Sequence, residues 1–268
     1  MSRKNDKTLR FYHEVLGLER LHYGMWQAED DVTIAKFKEA QIRYEDFLIA
    51  NIPPDVKKIL DVGCGTGIMA RKLLNMGYDV EGLSPDVNQK KYFADKLNAK
   101  FHSTKFENFT ETNQFNCLIM SESSQYIKLE KLFTNAHKAL KNGGYLIICD
   151  YFVKKNATGI QSKSGHKYDA FVKQISKSRF EIIKEKDITE SVVKTLDIGK
   201  DFVSRIQKTV EIYTENIVKK HPHFTNLILW IGKKKIKKYR KQLQLLDSQE
   251  FKKNKTYRLF LLQAATES

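Results

Sequence analysis

The feature that most restricts this chain is the octet Leu60-Asp61-Val62-Gly63-Cys64-Gly65-Thr66-Gly67, which continues an apolar run from Ile59 and leads into helical spacing from Met69. The apolar run reads as a buried strand. Glycines at alternate positions let the backbone turn sharply and come close to a ligand with no Cβ in the way. The helix that follows begins with unpaired N–H groups aimed at the same turn. A strand, a glycine turn and a helix in this order point to a parallel sheet with crossover helices, and on pattern alone they also suit a dinucleotide site.

The alternation continues downstream. Tyr78-Asp79-Val80-Glu81-Gly82-Leu83 reads as a second strand. Helical stretches over residues 86–97 and 129–140 separate strand-like runs at 99–102, 115–120 and 145–151, with Asn142-Gly143-Gly144 expected to stop the helix before the last of these. A helix over 168–178, a strand over 180–188 and a late strand over 255–263 complete the pattern. Between those two strands Phe202, Ile206, Val210, Tyr213 and Ile217 recur at helical steps, followed less regularly by Phe224, Ile228, Ile231, Ile236, Tyr239, Leu243 and Leu246.

At 268 residues and 41% hydrophobic content the chain can bury a full core. No run approaches the roughly 18 apolar residues of a membrane span, and Met1 to Arg10 lacks the apolar stretch of a secretory signal, so a soluble cytoplasmic protein is expected. Cys64, Cys117 and Cys149 form no CxxC pair and read as structural thiols. The formal charge of +15 lies almost wholly in residues 151–268. Such a half suits an anionic partner, whether nucleic acid, an acidic membrane surface or an anionic substrate, and equally suits a lysine-rich solvated face.

Leu60 to Gly67 resembles motif I of the class I S-adenosylmethionine-dependent methyltransferases, and Leu140-Lys141-Asn142-Gly143-Gly144-Tyr145-Leu146 resembles the segment those families carry after their fourth strand. The likeness is strongest to the branch holding cyclopropane-fatty-acid and mycolic-acid synthases, tocopherol methyltransferases and sarcosine/dimethylglycine methyltransferases. It implies an α/β, Rossmann-like, mostly parallel seven-stranded sheet with helices on both faces and a helical insertion before the last strand. The corresponding division is an N-terminal helical cap over 1–50, a cofactor-binding core over 51–189, a helical substrate cover over 190–250 and the final core strand over 251–268.

The same resemblance implies S-adenosylmethionine as cofactor and assigns residues to it. Asp61, Gly63, Cys64, Gly65 and Ser121 fall in its contact positions, Ser84 and Gln89 match positions facing ribose and methionine, and Phe106-Glu107 falls where an aromatic-acidic pair flanks adenine. Tyr23, in His22-Tyr23-Gly24-Met25-Trp26, matches an aromatic segment that closes over the cofactor. Two positions depart from the pattern. Ser84 stands where related enzymes often carry a ribose-binding acid, with Glu81 three residues too early, and Gln125 replaces the glutamate that helps hold bicarbonate in cyclopropane synthases. Plain methyl transfer is therefore preferred to cyclopropanation.

In-line methyl transfer needs alignment and exclusion of water rather than a metal or a covalent intermediate. His22, Tyr23 and Tyr126 are the catalytic candidates, with His166 and Tyr151 as further bases that sequence position allows and Asp150 as a ligand-edge or loop-capping acid. The expected acceptor is a small amphipathic or anionic molecule, lipid-like or terpenoid, beneath a cover carrying Phe202, Tyr213, Phe224 and Trp230. Phe224 to Ile231 and the cluster Lys233-Lys234-Lys235-Ile236-Lys237-Lys238 suit peripheral contact with an acidic membrane. Nucleic-acid modification is the alternative from another class; it is disfavoured because Met120-Ser121-Glu122-Ser123-Ser124-Gln125-Tyr126 lacks the Asp/Asn-Pro-Pro-aromatic signature of base-amino methyltransferases. Assembly state and acceptor identity stay open.

Overall fold

The computed structural model describes residues 17–86, 97–220 and 243–266, together with Val15, Gln89, Lys90 and Phe93. Helix α1, Ile34–Ile49, starts at Thr33, whose hydroxyl accepts the Lys36 N–H. It buries Phe37, Ala40, Tyr44 and Leu48 along one stripe, as three- and four-residue spacing requires.

The sheet is built from β1 (Lys58–Val62), β2 (Asp79–Leu83), β3 (Phe101–His102), β4 (Phe115–Ser121), β5 (Leu140–Val153), β6 (His166–Lys167), β7 (Phe180–Asp187) and β8 (Lys255–Ala264). Seven of these follow one path in the order β3-β2-β1-β4-β5-β8-β7, and the two-residue β6 pairs with β5 off that path. The strands from β3 to β5 run parallel, whereas β8 is antiparallel to both β5 and β7. Crossover helices α2 (Ile68–Asn75), α3 (Leu129–Ala139) and α4 (Tyr168–Ser176) link successive strands. The fold is thus the expected mostly parallel Rossmann-like sheet.

Alternation along the strands sorts side chains onto two buried faces. Leu118, Met120, Leu146, Ile148, Phe152 and Phe260 pack with Leu132 and Phe133 of α3 and Phe171 of α4. Ile59, Cys117, Ile147, Cys149, Tyr257 and Leu259 pack on the other face with Tyr44 and Leu48 of α1 and Leu73 of α2. The three cysteines are free and buried.

One local expectation is corrected. The strand expected at 145–151 begins at Leu140, so Asn142-Gly143-Gly144 lies inside β5 and the helix has already ended at Ala139. The glycines serve a bulge: the register against β4 shifts between Phe115 and Cys117, and a Cβ on Gly144 would stand 2.9 Å from the Lys141 carbonyl oxygen and 3.0 Å from that of Asn116.

After β7 come the short α5 (Thr189–Val192) and the long α6 (Lys194–Lys220), then α7 (Ser248–Asn254) ahead of β8. On α6, Ile206, Val210 and Tyr213, which recur at helical steps, are exposed among the described residues. Phe224, Ile228, Trp230, Ile231, Ile236, Tyr239 and the basic cluster at 233–238 lie outside the described residues. No described helix is long and apolar enough to cross a membrane.

Candidate functional site

In open parallel sheets ligands gather at the carboxyl ends of the strands, and the sequence motifs converge there. β1 ends at Val62, and the Gly63 N–H donates to the Leu83 carbonyl at 2.7 Å. Gly63 has φ +81, and a Cβ there would sit 2.5 Å from Ser123 Cβ, so the turn can lie against the end of β4 only as glycine. Ser123 Oγ donates to the Val62 carbonyl at 2.5 Å and ties the two strand ends together. Gly65, with φ +55, is different: its missing Cβ would meet nothing within 4 Å among the described residues. One glycine is demanded by packing and the other faces open space.

Asp61, on β1, is 3% exposed. Burial pushes its carboxyl up to about 7, with the nearby His22 acting the other way, and among the described residues no donor is bonded to it. Burial likewise pushes the Cys64 thiol up, which keeps it protonated and unreactive. After β2, buried Ser84 donates its N–H to the His102 carbonyl and accepts the Asp86 N–H on its hydroxyl. Glu81 is committed elsewhere. Its carboxylate pairs with Lys58 at 2.7 Å and His102 at 2.6 Å, and these bonds outweigh burial and hold it below the usual carboxylate range. Gln89 Oε1 is buried without a hydrogen-bond partner among the described residues. The Phe106 ring lies in the core beside Phe109, 2% exposed, while Glu107 is half-buried next to it.

The N-terminal segment reaches the same edge through bonds to three elements. Gly24 approaches α1 so closely that a Cβ would stand 2.7 Å from Ala40 Cβ. Gly24 N–H and the Trp26 indole N–H both donate to Thr195 Oγ1 on α6, at 3.0 and 2.9 Å. Tyr23 N–H donates to Glu122 Oε1 at 2.7 Å, and the Tyr23 ring lies 5.5 Å from that of Tyr257.

Glu122, one residue past β4 and at φ +53, organises a relay. It accepts from Tyr257 Oη at 2.8 Å; Tyr257 Oη is 2.9 Å from Tyr44 Oη, and that oxygen is 3.1 Å from Ser121 Oγ. An ionised carboxylate only accepts, so the proton direction runs Ser121 to Tyr44 to Tyr257 to Glu122. Burial pushes the Glu122 carboxyl up, opposed by His22, the Tyr23 N–H and Tyr257.

The catalytic candidates fare unequally. His22 Nδ1 bonds the Tyr23 carbonyl at 2.7 Å and Nε2 faces Glu45 at 3.4 Å, so both ring nitrogens have protein partners and neither is offered to a substrate. Tyr126 is 78% exposed, and partial desolvation with Asp150 and Glu122 nearby raises its pKa, which makes it a poor base at neutral pH. His166 Nε2 donates to the Ser124 carbonyl at 2.9 Å and the ring stacks on Phe171; it is a structural residue rather than a solvated one. Asp150 is fully buried and caps a loop, accepting Ser124 Oγ at 2.7 Å, Gln125 N–H at 3.1 Å and Tyr151 N–H at 2.8 Å, with burial pushing it up to about 7. Gln125 Oε1 accepts from the Tyr151 hydroxyl.

Sequence reasoning did not single out Glu122, Tyr44, Tyr257 or Thr195. Each acts through partners about a hundred or more residues away or through a buried aromatic position, and no local spacing announces such pairings.

A model of a methyltransferase domain matches residues 37–178. A malonyl-acyl-carrier-protein O-methyltransferase of Ilyobacter polytropus is 29% identical over 104 residues, 36% of this chain and 40% of the relative. The chain spans about two fifths of the length of the curated relatives it matches. Among solved structures, the 4+2 cyclase SpnF superposes with a TM-score of 0.72 at 16% identity, covering 100% of this chain and 97% of that one. The geranyl diphosphate C-methyltransferase of Streptomyces coelicolor A3(2), solved with Mg2+, geranyl diphosphate and S-adenosyl-L-homocysteine, superposes with a TM-score of 0.67 at 15% identity, over 98% of each chain. At such identity these structures speak to the fold alone, and a cyclase among them illustrates that this fold hosts more than one reaction.

Proposed function

This chain belongs to the methyltransferase-domain family, and on that premise we propose that it transfers the methyl group of S-adenosylmethionine to a small-molecule acceptor by direct in-line displacement. The observation that carries the reading is the set of groups that follow β1 and β2: a Gly65 whose Cβ would meet no described atom within 4 Å, a buried Asp61 to which no described donor is bonded, and Gln89 Oε1, buried without a partner among the described residues. Buried polar groups seek partners, and the ammonium and ribose hydroxyls of this cofactor are donors, so the residues fit the group.

In this reading Asp61, Gly63, Cys64 and Gly65 hold the methionyl portion, Ser84 and Gln89 the ribose, and Phe106 and Glu107 the adenine side. Ser121 and Tyr23 close the site. When bound, the cofactor supplies an already activated sulfonium methyl. The chain's own contribution is alignment and dryness: Glu122 seats Tyr23 through the backbone, and the Tyr44–Tyr257 relay keeps that seat rigid. With both His22 nitrogens engaged and Tyr126 exposed, acceptors that lose their proton readily, or need lose none before attack, fit better than those requiring a strong base.

We extend the proposal to the domain division, with residues 1–50 as a cap, 51–189 and 251–268 as the core and 190–250 as a cover over the acceptor. A lipid-like or terpenoid acceptor carrying negative charge suits the half-buried rings of Tyr23 and Tyr151, which pack on the buried Phe251 and Tyr257, and the basic C-terminal half. The test is calorimetric titration with S-adenosylmethionine and S-adenosylhomocysteine beside Gly65→Arg, followed by acceptor screening with labelled cofactor. Binding by the parent and its loss in the folded variant support the reading; absence of binding by the folded parent refutes it.

A further inference from the structure

Lys255 opens β8, in register with Val153 at the outer end of β5. It is 3% exposed, and among the described residues no carboxylate oxygen lies within ion-pairing distance of its ammonium. What holds it is the Ser164 hydroxyl at 3.0 Å, the face of the Tyr151 ring, whose centroid is 3.8 Å away, and more distantly the Phe251 ring at 5.8 Å. An ammonium has three donors, and one hydroxyl with an aromatic face leaves that capacity unfilled. A buried cation with no ion-paired carboxylate is costly, and perturbed groups of this kind cluster at functional sites. Burial lowers the Lys255 pKa to about 8, with Asp150 opposing, so the group still carries its charge at neutral pH.

Its position says which ligand. The proposed cofactor edge lies at β1 and β2, whereas Lys255 sits at the β5–β8 end of the same sheet edge, beyond the Tyr257–Glu122 bond. Tyr151, half-buried under the ammonium, is hydroxyl-bonded to Gln125 in the segment after β4, and Ser164 is exposed on the loop between β5 and β6. Turning the exposed Ser164 side chain about its Cα–Cβ bond would exchange a protein partner of the ammonium for an incoming oxygen without moving the sheet. We propose that the Lys255 ammonium, with Ser164 at its rim and Tyr151 beneath it, is a subsite for an anionic head group of the acceptor, a carboxylate or a phosphate. This rests on the methyltransferase reading above.

The experiment uses the full chain saturated with S-adenosylhomocysteine, so that the cofactor's own carboxylate is excluded as the anion, and titrates octanoate, octyl phosphate and neutral octanol. Saturable binding of one or both anions over octanol is expected, with Lys255→Met weakening it at least about tenfold and Lys255→Arg restoring part of it. The tighter probe identifies the head group. Because Lys255→Met removes a buried group and can fail to fold, Ser164→Glu provides a second arm: at an exposed position it places a carboxylate beside the ammonium and is expected to abolish anion binding while leaving homocysteine-cofactor affinity unchanged. Equal anion affinity in parent and Ser164→Glu, or in parent and folded Lys255→Met, overturns the proposal, as does failure of both anions to bind. In each of those outcomes intact S-adenosylhomocysteine binding leaves the methyltransferase reading standing, and its loss in the parent shows that the fault lies there instead.

Discussion

Gly63 and Gly65 sit two residues apart in one turn, and the structure gives alanine opposite consequences at the two. At Gly63, with φ +81, a Cβ adds left-handed strain of about 1–2 kcal/mol and strikes Ser123 Cβ at 2.5 Å. That contact is against a side chain tied to the Val62 carbonyl, so relief requires breaking a bond between strand ends, and overpacking of this kind costs about 1–3 kcal/mol more. At Gly65 only the backbone strain applies, because nothing stands within 4 Å. At about 2–4 °C per kcal/mol for a domain of this size, Gly63→Ala lowers Tm by about 10 °C and Gly65→Ala by about 3 °C. Affinity runs the other way: the new methyl at Gly65 projects into the proposed cofactor space and weakens S-adenosylhomocysteine at least about tenfold. Thermal unfolding by circular dichroism and calorimetric titration read the two quantities separately. A Gly65→Ala variant that binds within about twofold of the parent, or that unfolds as early as Gly63→Ala, refutes the assignment of one glycine to packing and the other to ligand approach.

Three further outcomes follow from the geometry. The Asp61 carboxyl is raised from 3.8 to about 7 in the folded chain, so between those values the folded state keeps a proton that the unfolded state has released; stability falls as pH rises through that window and levels above it. Asp61→Asn lacks this titration, so its Tm relative to the parent climbs from pH 4 to 7, and a constant difference across that range would contradict the burial argument. Thr195→Val leaves the Gly24 and Trp26 N–H groups without their shared acceptor, which lowers stability by about 2–3 kcal/mol and speeds hydrogen exchange at Gly24 and Met25 ahead of the sheet; unchanged exchange there would show that the segment is held by other contacts. Tyr257→Phe removes the hydroxyl between Tyr44 and Glu122 and lowers stability by about 1–2 kcal/mol in chemical denaturation, whereas a neutral result would mean the relay contributes nothing net.

The fold was written locally. Period-two apolar runs, helical spacing and the Gly63-Cys64-Gly65-Thr66-Gly67 turn are each properties of a few adjacent residues, because strand alternation, helix periodicity and positive-φ turns are decided over short stretches of backbone. That is why helix α4 and strands β7 and β8 begin at the residues expected. The Asn142-Gly143-Gly144 segment misled because a glycine pair serves a helix end and a β-bulge equally well, and only the neighbouring β4 carbonyl at Asn116 decides between them. Exposure of the apolar side of α6 was likewise invisible, since periodicity gives a helix a face without saying what covers it.

The candidate site divides in the same way. Asp61, Gly63, Gly65, Ser84 and Gln89 were legible because they ride on or follow the motif strands, and the ends of parallel strands meet by topology. Which of them has an unmet hydrogen bond, and that Glu81 is already taken by Lys58 and His102, was not. Nor was the Ser121–Tyr44–Tyr257–Glu122 relay or the buried Lys255 over Tyr151. Those pairings join residues 77 to 213 positions apart, and hydrogen bonds and ion pairs act over a few ångströms of space regardless of separation along the chain. The sequence by itself determined the sheet, its order of elements and the strand ends proposed to meet a ligand; tertiary contact alone decided which polar groups there are satisfied and which are left without partners among the described residues.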